Sequence, residues 1–463
     1  MGNGNSIFDQ LRTLFGKSKT SKSAESEVLQ AESSPLKPSS QNAFGPEIDL
    51  VLGIDFGTSC SKVVIGDRGW QGQSYAVPIG GKVVGLDRFL RVTQVPVEGS
   101  VEANLKMRLM ADPGSERIRN LVALYLAGIV RDSLRWFGSE GPRRYGDRRL
   151  SWSLNLGFPA KKVEKGPLVE AFREIADLAV RLGSTDLPLD LSSLQLLRSE
   201  PRAGEERRII PPDRIHLYPE IGAQLAGYVN SPYRTGGNLI LIDVGAGTLD
   251  VSTIILHGDE EGDIVSFHFC EVGPFGTMKL LEARMAKLES VETGAVRMRL
   301  EDFQSGSKPT PETADEILGD RRRLSPPLES AFDVVGEQFA DKAIWLAIGC
   351  ARDFRVNQKE VHANTGFDPW PNDLRFFFTG GGSRSLFFRK HFVKGPFEQT
   401  LVPFTRWERE PEDRRRLRQG LRLERLPAPP DLQGFPPELQ ADFDRLSVAH
   451  GLSYGIQNLM RFT

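Results

Sequence analysis

Residues 48–66 read Ile48-Asp49-Leu50-Val51-Leu52-Gly53-Ile54-Asp55-Phe56-Gly57-Thr58-Ser59-Cys60-Ser61-Lys62-Val63-Val64-Ile65-Gly66. An apolar run ends in an aspartate, turns on a glycine and hydroxyl residues, then resumes as a second apolar run. That pattern predicts a buried strand, a tight turn and a second strand, which is a β-hairpin. The turn sets small residues and their peptide N–H groups beside one carboxylate. Such a place suits a phosphate and the hydrated cation that accompanies it. The plan recurs in Leu239-Ile240-Leu241-Ile242-Asp243-Val244-Gly245-Ala246-Gly247-Thr248-Leu249-Asp250-Val251-Ser252-Thr253-Ile254. Two such hairpins, about two hundred residues apart, predict two related halves closing on one nucleotide.

A third signal lies at Leu374-Arg375-Phe376-Phe377-Phe378-Thr379-Gly380-Gly381-Gly382-Ser383-Arg384-Ser385, where a buried strand runs into three glycines. Glycines at a strand end permit positive φ and let a flat ligand approach the backbone. Arg384 is placed to stack on a base or pair with a phosphate; the plainer reading is a glycine turn with an exposed arginine.

Between these signals the text alternates strands and helices. Strand pattern continues at 75–79 and 83–86, as though completing the first sheet, and a long helix is expected over 116–136. Residues 138–149 read as an arginine-bearing solvated loop, with no glycine or aromatic pattern to make them a nucleic-acid contact. A strand at 151–159 precedes an amphipathic helix at 168–182. Small residues at 221–229, behind Pro219, predict a helix packed closely on another element, either in a simple core or between two lobes. Residues 230–237 form a boundary rich in Pro, Gly, Ser and Asn. Past the second hairpin, strand pattern at 264–272 leads to helices at 278–291 and 328–348, and a small-residue helix at 446–454 mirrors 221–229. The polar stretch 301–312 and the doubly charged stretch 406–425 read as solvated.

Residues 1–46, ahead of the first hairpin, divide in two. Residues 18–43 are rich in Ser, Lys, Glu and Pro and read as disordered linker. Before them Ile7, Phe8, Leu11, Leu14 and Phe15 share one helical face, with Ser6 as cap and Gly16 as stop. An apolar stripe on such a tether reads as a docking peptide for a partner protein or a membrane surface, or as a helix folding back on its own chain. Met1-Gly2 with Ser6 also fits the short N-myristoylation pattern.

With 463 residues, 39% hydrophobic and 26% charged, the chain is long enough for two or three cored domains. A formal charge of -2 gives no reason to expect a polyanionic partner, so no nucleic acid is expected. Three widely spaced cysteines make neither a disulfide framework nor a zinc knuckle, which favours a reducing compartment. No apolar run approaches membrane-spanning length and no secretory h-region is present, so a cytoplasmic location is expected, with peripheral contact at the inner face of a membrane as the variant that the N-terminal helix allows.

Across residues 48–457 the chain resembles the actin-like ATPase superfamily, and within it the ATPase domain of the heat-shock-protein-70 chaperones and their divergent bacterial relatives. Five motifs carry the resemblance in order: the hairpin at 53–59, the connecting helix at 219–228, the hairpin at 243–251, the loop at 379–384 and the connecting helix at 446–454. The resemblance implies an α/β, actin-like ATPase fold of two related lobes, 47–236 and 237–463, with a nucleotide cleft between them. It implies ATP/ADP and Mg2+ as ligands, with Asp55 and Asp243 positioning the cation and its waters. Gly57, Thr58, Ser59 and Lys62 of the first hairpin, and Gly245, Ala246, Gly247 and Thr248 of the second, are implied as phosphate clamps. Gly380, Gly381, Gly382, Ser383 and Arg384 are implied to lie under adenosine. Two opposed N–H-lined turns and two carboxylates suit phosphoryl transfer, which needs charge neutralisation and an in-line water.

The sequence also departs from the family. Where the chaperones carry a glutamate before the proline of the first connecting helix, this chain has Tyr218, and its nearest carboxylate is Glu220 on the other side of Pro219. Glu220 is therefore the third catalytic candidate, beside Asp55 and Asp243. The spacing before Arg384 also differs, and no peptide-binding domain lies within the resemblance. The expectation is a slow Mg-dependent ATPase acting as a nucleotide-dependent switch on a partner protein. The alternative is a filament-forming actin-like protein that self-associates under nucleotide control. A small-molecule kinase and a nucleotide-binding pseudoenzyme rank below both.

Overall fold

The computed structural model describes residues 47–58, 61–67, 72–78, 84–86, 92–93, 101–102, 104–140, 145–146, 148–159, 166–200, 205–230, 234, 236–259, 262–296, 300, 310–318, 325–361, 374–393, 421–424, 426, 428–434, 443, 445–454 and 461–462. The predicted N-terminal helix and linker, Ser59 of the first turn, and most of 301–312 and 406–425 lie outside the described residues.

The first hairpin forms as expected. Strands β1 (Ile48–Asp55) and β2 (Lys62–Gly66) pair antiparallel, with Asp55 opposite Lys62, and β3 (Ser74–Val77) extends the meander. The next expected strand does not join this sheet. β4 (Val84–Leu86) pairs instead with β5 (Val92–Thr93) and β6 (Val101–Glu102) in a separate three-stranded sheet, because the place beside β3 is taken by a strand from the far end of the chain. Helices α1 (Leu105–Ala111) and α2 (Glu116–Glu140) follow, and α2 runs into what the sequence presents as loop. β7 (Leu150–Phe158) lies parallel to β1, and helices α3 (Pro167–Gly183) and α4 (Leu191–Ser199) lead to β8 (Ile215–Pro219), parallel to β7. Helix α5 (Glu220–Val229) starts directly after Pro219, which is its cap position and not a residue of its first turn.

The second half repeats this plan. β9 (Gly237–Val244) and β10 (Leu249–Asp259) make the second hairpin, and β11 (Gly262–Gly273) extends it antiparallel. Helices α6 (Thr277–Val291), α7 (Ala314–Leu318) and α8 (Pro326–Val361) precede β12 (Leu374–Thr379), which lies parallel to β9. After helix α9 (Leu386–Phe392), β13 (Leu421–Glu424) pairs with β12. The C-terminal segment then supplies an edge strand to each sheet: β14 (Leu432–Gln433) to β3, and, after helix α10 (Ser447–Leu452), β15 (Arg461–Phe462) to β11. The sheet orders are β14-β3-β2-β1-β7-β8 and β15-β11-β10-β9-β12-β13. Strand for strand they are the same: a parallel edge, a three-stranded meander and two parallel strands. The halves are related, as the paired hairpins predicted.

Period-two alternation explains the layers. On β9, Ile240, Ile242 and Val244 face the core under α6, α8 and α9, whereas Leu239 and Leu241 face a middle layer made by α5 and α10. On the first sheet, Val63 and Ile65 face the core under α2 and α3, and Val64 faces the same middle layer. The small-residue helices are therefore the contact between lobes, the second of the two readings their composition allowed. They cross so closely that a Cβ at Gly451 would run into the carbonyl oxygen of Ala223, and one at Gly227 would lie 2.9 Å from Nδ1 of His450. Nδ2 of Asn155 on β7 donates to the carbonyls of Leu452 (2.7 Å) and Tyr454 (2.8 Å), fixing the end of α10 to the first sheet.

Candidate functional site

Asp55 ends β1 and Asp243 stands one residue from the end of β9, so both project where the two sheets approach. Their cross-strand neighbours differ in sign. Lys62 lies opposite Asp55 and donates from Nζ to Oδ2 at 2.8 Å. Asp250 lies opposite Asp243. Like charges directly opposite on adjacent strands are destabilising, and Oδ1 of Asp250 is buried without a partner among the described residues. Burial, followed by the charges of Asp243 and Glu220, pushes the Asp250 carboxyl up to about 8. Burial is also the main cause that lifts Asp243 to about 6, with Asp55 and Glu220 adding to it and the hydrogen bond from Gln224 opposing it.

Glu220, the first residue of α5, completes the acidic group. Gly157 of β7 makes room for it: a Cβ there would lie 3.1 Å from Cγ of Glu220. Both of its oxygens accept from Nζ of Lys106 on α1, at 2.6 and 2.7 Å. Burial raises the Glu220 carboxyl above the ordinary range despite the opposing charge of Lys106. The Tyr218 departure thus leaves a carboxylate in the site, because the helix begins after the proline and Glu220 occupies its first turn.

The second turn is held from behind. Gly245 N donates to the Thr248 carbonyl at 2.9 Å, and the carbonyls of Gly245, Ala246 and Gly247 accept from Thr277, Met278 and Gly276 N at 3.1, 2.8 and 3.4 Å. In a trans peptide the C=O and the following N–H point opposite ways. The N–H groups of Ala246, Gly247 and Thr248 are therefore turned away from α6. The turn itself lies beside the first hairpin, for a Cβ at Gly247 would lie 3.5 Å from Oγ1 of Thr58. Between the turns lies a cavity of about 20 Å³, bordered by Thr58, Thr248, Lys106, Glu220 and Asp250, with Met107, Met110 and Phe158 among its apolar walls. A volume of that order holds about one water.

Of the three glycines after β12, only Gly380 has positive φ, at 82°. A Cβ there would run into Oδ1 of Asp243, so this glycine makes room for the carboxylate. Gly381–Arg384 form a 3-10 turn in which Ser383 donates to the Gly380 carbonyl from N and Oγ, at 3.1 and 2.8 Å. Ser383 thus closes the loop itself. Gly381 is exposed and Arg384 half-buried beside it, with Nε of Arg445 reaching to 3.9 Å of a Cβ placed on Gly381.

Three residues that sequence reading did not single out belong to this group: Lys106, Gln224 and Asp250. Nε2 of Gln224 lies 2.7 Å from Oδ2 of Asp243 and 2.8 Å from Oγ1 of Thr379. Asp250 was findable by counting the hairpin back from its turn, and Gln224 as the one long polar residue within the small-residue stretch 221–229. Lys106 had no local signal.

Among the described residues, no three His, Cys, Asp or Glu side chains converge as a ready protein cage for a metal. Magnesium does not ask for one. It binds through one or two carboxylates and completes its octahedron with water and phosphate oxygens. The donor set is hard oxygen, and Asp243 faces Asp250 with no cationic side chain among the described residues hydrogen-bonded between them, so the residues present fit such an ion.

The acid pair has a consequence for stability. Folded Asp250 keeps its proton up to about pH 8, whereas its ordinary value is 3.8. Between those values the folded state binds more protons, so stability falls as pH rises through the window. Thermal melts of Asp250→Asn should show a flatter profile than the parent, with Tm raised near pH 8 and little changed near pH 4. Parallel profiles would contradict the assignment.

No family model matches the chain, and no curated protein matches it. Solved structures do. The chain is similar to the pCBH ParM non-polymerisable quadruple mutant (12% identity, TM-score 0.41) and to the MamK double helical filament (12% identity, TM-score 0.43). Each comparison covers 88% of this chain and 98% of the other. The architecture is the α/β one of two related lobes expected from the sequence, as the duplicated strand order displays.

Proposed function

We propose that the chain binds Mg–ATP and Mg–ADP between its lobes as an actin-like ATPase, hydrolyses ATP slowly, and changes lobe angle with the nucleotide it holds. The observation that carries this reading is the Asp243–Asp250 cross-strand pair, set between two phosphate-type turns and a Lys106–Glu220 ion pair. Asp55 and Asp243 would hold the ion through its waters, and Mg2+ when bound supplies charge neutralisation to the phosphates. The N–H groups of 246–248 bind phosphate oxygens, with Thr58 of the facing turn closing on them. Lys106 adds a positive charge where negative charge develops on the transferred group. Glu220, held by Lys106, orients the attacking water. Single-turnover hydrolysis by Glu220→Gln should fall by at least about tenfold, with nucleotide affinity retained; an unchanged rate would contradict this role.

Nucleotide-controlled self-assembly is the second reading, the alternative that the sequence's resemblance to the actin-like ATPases brings. Sedimentation with and without ATP separates it from a switch that remains monomeric.

A further inference from the structure

One side chain joins the candidate cation site to both helices that link the lobes. Gln224 stands mid-way along α5, only 1% exposed. Its Nε2 lies 2.7 Å from Oδ2 of Asp243 on β9, 2.8 Å from Oγ1 of Thr379 on β12 and 3.3 Å from Oγ of Ser447, the first residue of α10. Its Oε1 has no hydrogen-bond partner among the described residues. The amide cannot be turned round, since Oε1 would then face a carboxylate. A buried carbonyl without a partner is costly, so packing alone would favour an apolar residue here. What the amide supplies is its pair of N–H protons.

Two protons face three acceptors. Bonds to an ionised carboxylate are roughly twice as strong as bonds to a hydroxyl, so Asp243 holds one proton for as long as its charge is undivided. A cation on Asp243 draws that charge toward itself and weakens the bond. The proton is then shared toward Ser447, one turn before Gly451, where α10 crosses α5 at backbone contact.

We infer that Gln224 is a positioning residue that couples cation occupancy at Asp243 to the seating of α10 on α5, and so to lobe closure. The inference rests on the Mg-nucleotide reading above. Coupling of this kind is reciprocal: whatever seats α10 must also tighten the cation.

The test uses the full chain, Mg-ADP, and calorimetry with Mg2+ or with EDTA, beside small-angle scattering for lobe closure. Gln224→Leu should lose at least about fivefold of the Mg2+-dependent gain in ADP affinity, with affinity in EDTA unchanged, and should lose the Mg-ADP-induced compaction. Gln224→Met, which keeps the chain length without the donor, should behave alike and guards against a folding defect. Ser447→Ala, which leaves both Gln224 and Asp243 in place, should reduce the same gain by reciprocity, and the double change should be less than additive. If Gln224→Leu and Gln224→Met fold and keep both the Mg2+-dependent gain and the compaction, the coupling is overturned. Equal losses with Mg2+ and with EDTA would also overturn it, as a purely structural effect. A parent chain that binds no Mg-nucleotide would overturn the nucleotide reading itself, a different result.

Discussion

Gly451→Val is expected to cost upwards of about 3 kcal/mol of stability, at or beyond the top of the usual range for overpacking. The new Cβ would meet the carbonyl oxygen of Ala223, its carbonyl carbon and its Cα, all backbone atoms of α5 that have no rotamer by which to yield. Neighbouring glycines cannot absorb the shift. A Cβ at Gly53 would already lie 2.7 Å from the Ala449 carbonyl oxygen, so α10 is pinned against β1 on its other side. Pushing α5 away instead moves Glu220 and Gln224 with it. Denaturant melts should therefore show a large drop in midpoint, and any folded remainder should have lost nucleotide affinity. A variant of parental stability would mean that the helices do not cross as described.

Lys106→Ala is the second large effect. The pair it breaks is well buried, with the Lys106 and Glu220 side chains 9% and 15% exposed. Removing one member of such a pair costs about 3–5 kcal/mol, because the other charge is left without compensation. Here the cost is compounded by Asp55, whose charge already acts on Glu220 to raise it. Adding Glu220→Gln should restore much of the stability while leaving hydrolysis impaired. A double-mutant cycle in denaturant gives the coupling, expected toward the upper end of about 0.5–3 kcal/mol. Additive losses would show that the ion pair contributes nothing at this place.

The parts of the molecule that announced themselves in the sequence were the local ones. Strand β1, its turn and β2 are contiguous, and the period-two run of Leu50, Leu52 and Ile54 required only that one face be buried. The second hairpin and the glycine loop after β12 were equally plain. What could not be read was set by distance along the chain. Val84–Leu86 has the same strand-like composition as Ser74–Val77, yet the edge it was expected to extend is filled by Leu432–Gln433, over three hundred residues later. Lys106 meets Glu220 across 114 residues, and nothing around Lys106 marks it as more than a helical lysine. Glycine also spoke ambiguously. Gly380 was read for a ligand's approach, but its missing Cβ makes room for Asp243. The same residue type at Gly451 serves helix crossing, and only the partner in space separates the two uses.

The most direct test of the central claim is an isothermal titration of the full chain with ADP in the presence of Mg2+ and again in EDTA, on the parent and on Asp243→Ala and Asp55→Ala. The account predicts one nucleotide per chain, tighter with Mg2+ than without, and a Mg2+ gain that is lost in Asp243→Ala and reduced in Asp55→Ala. Binding that is indifferent to Mg2+, or that survives both substitutions unchanged, would contradict it.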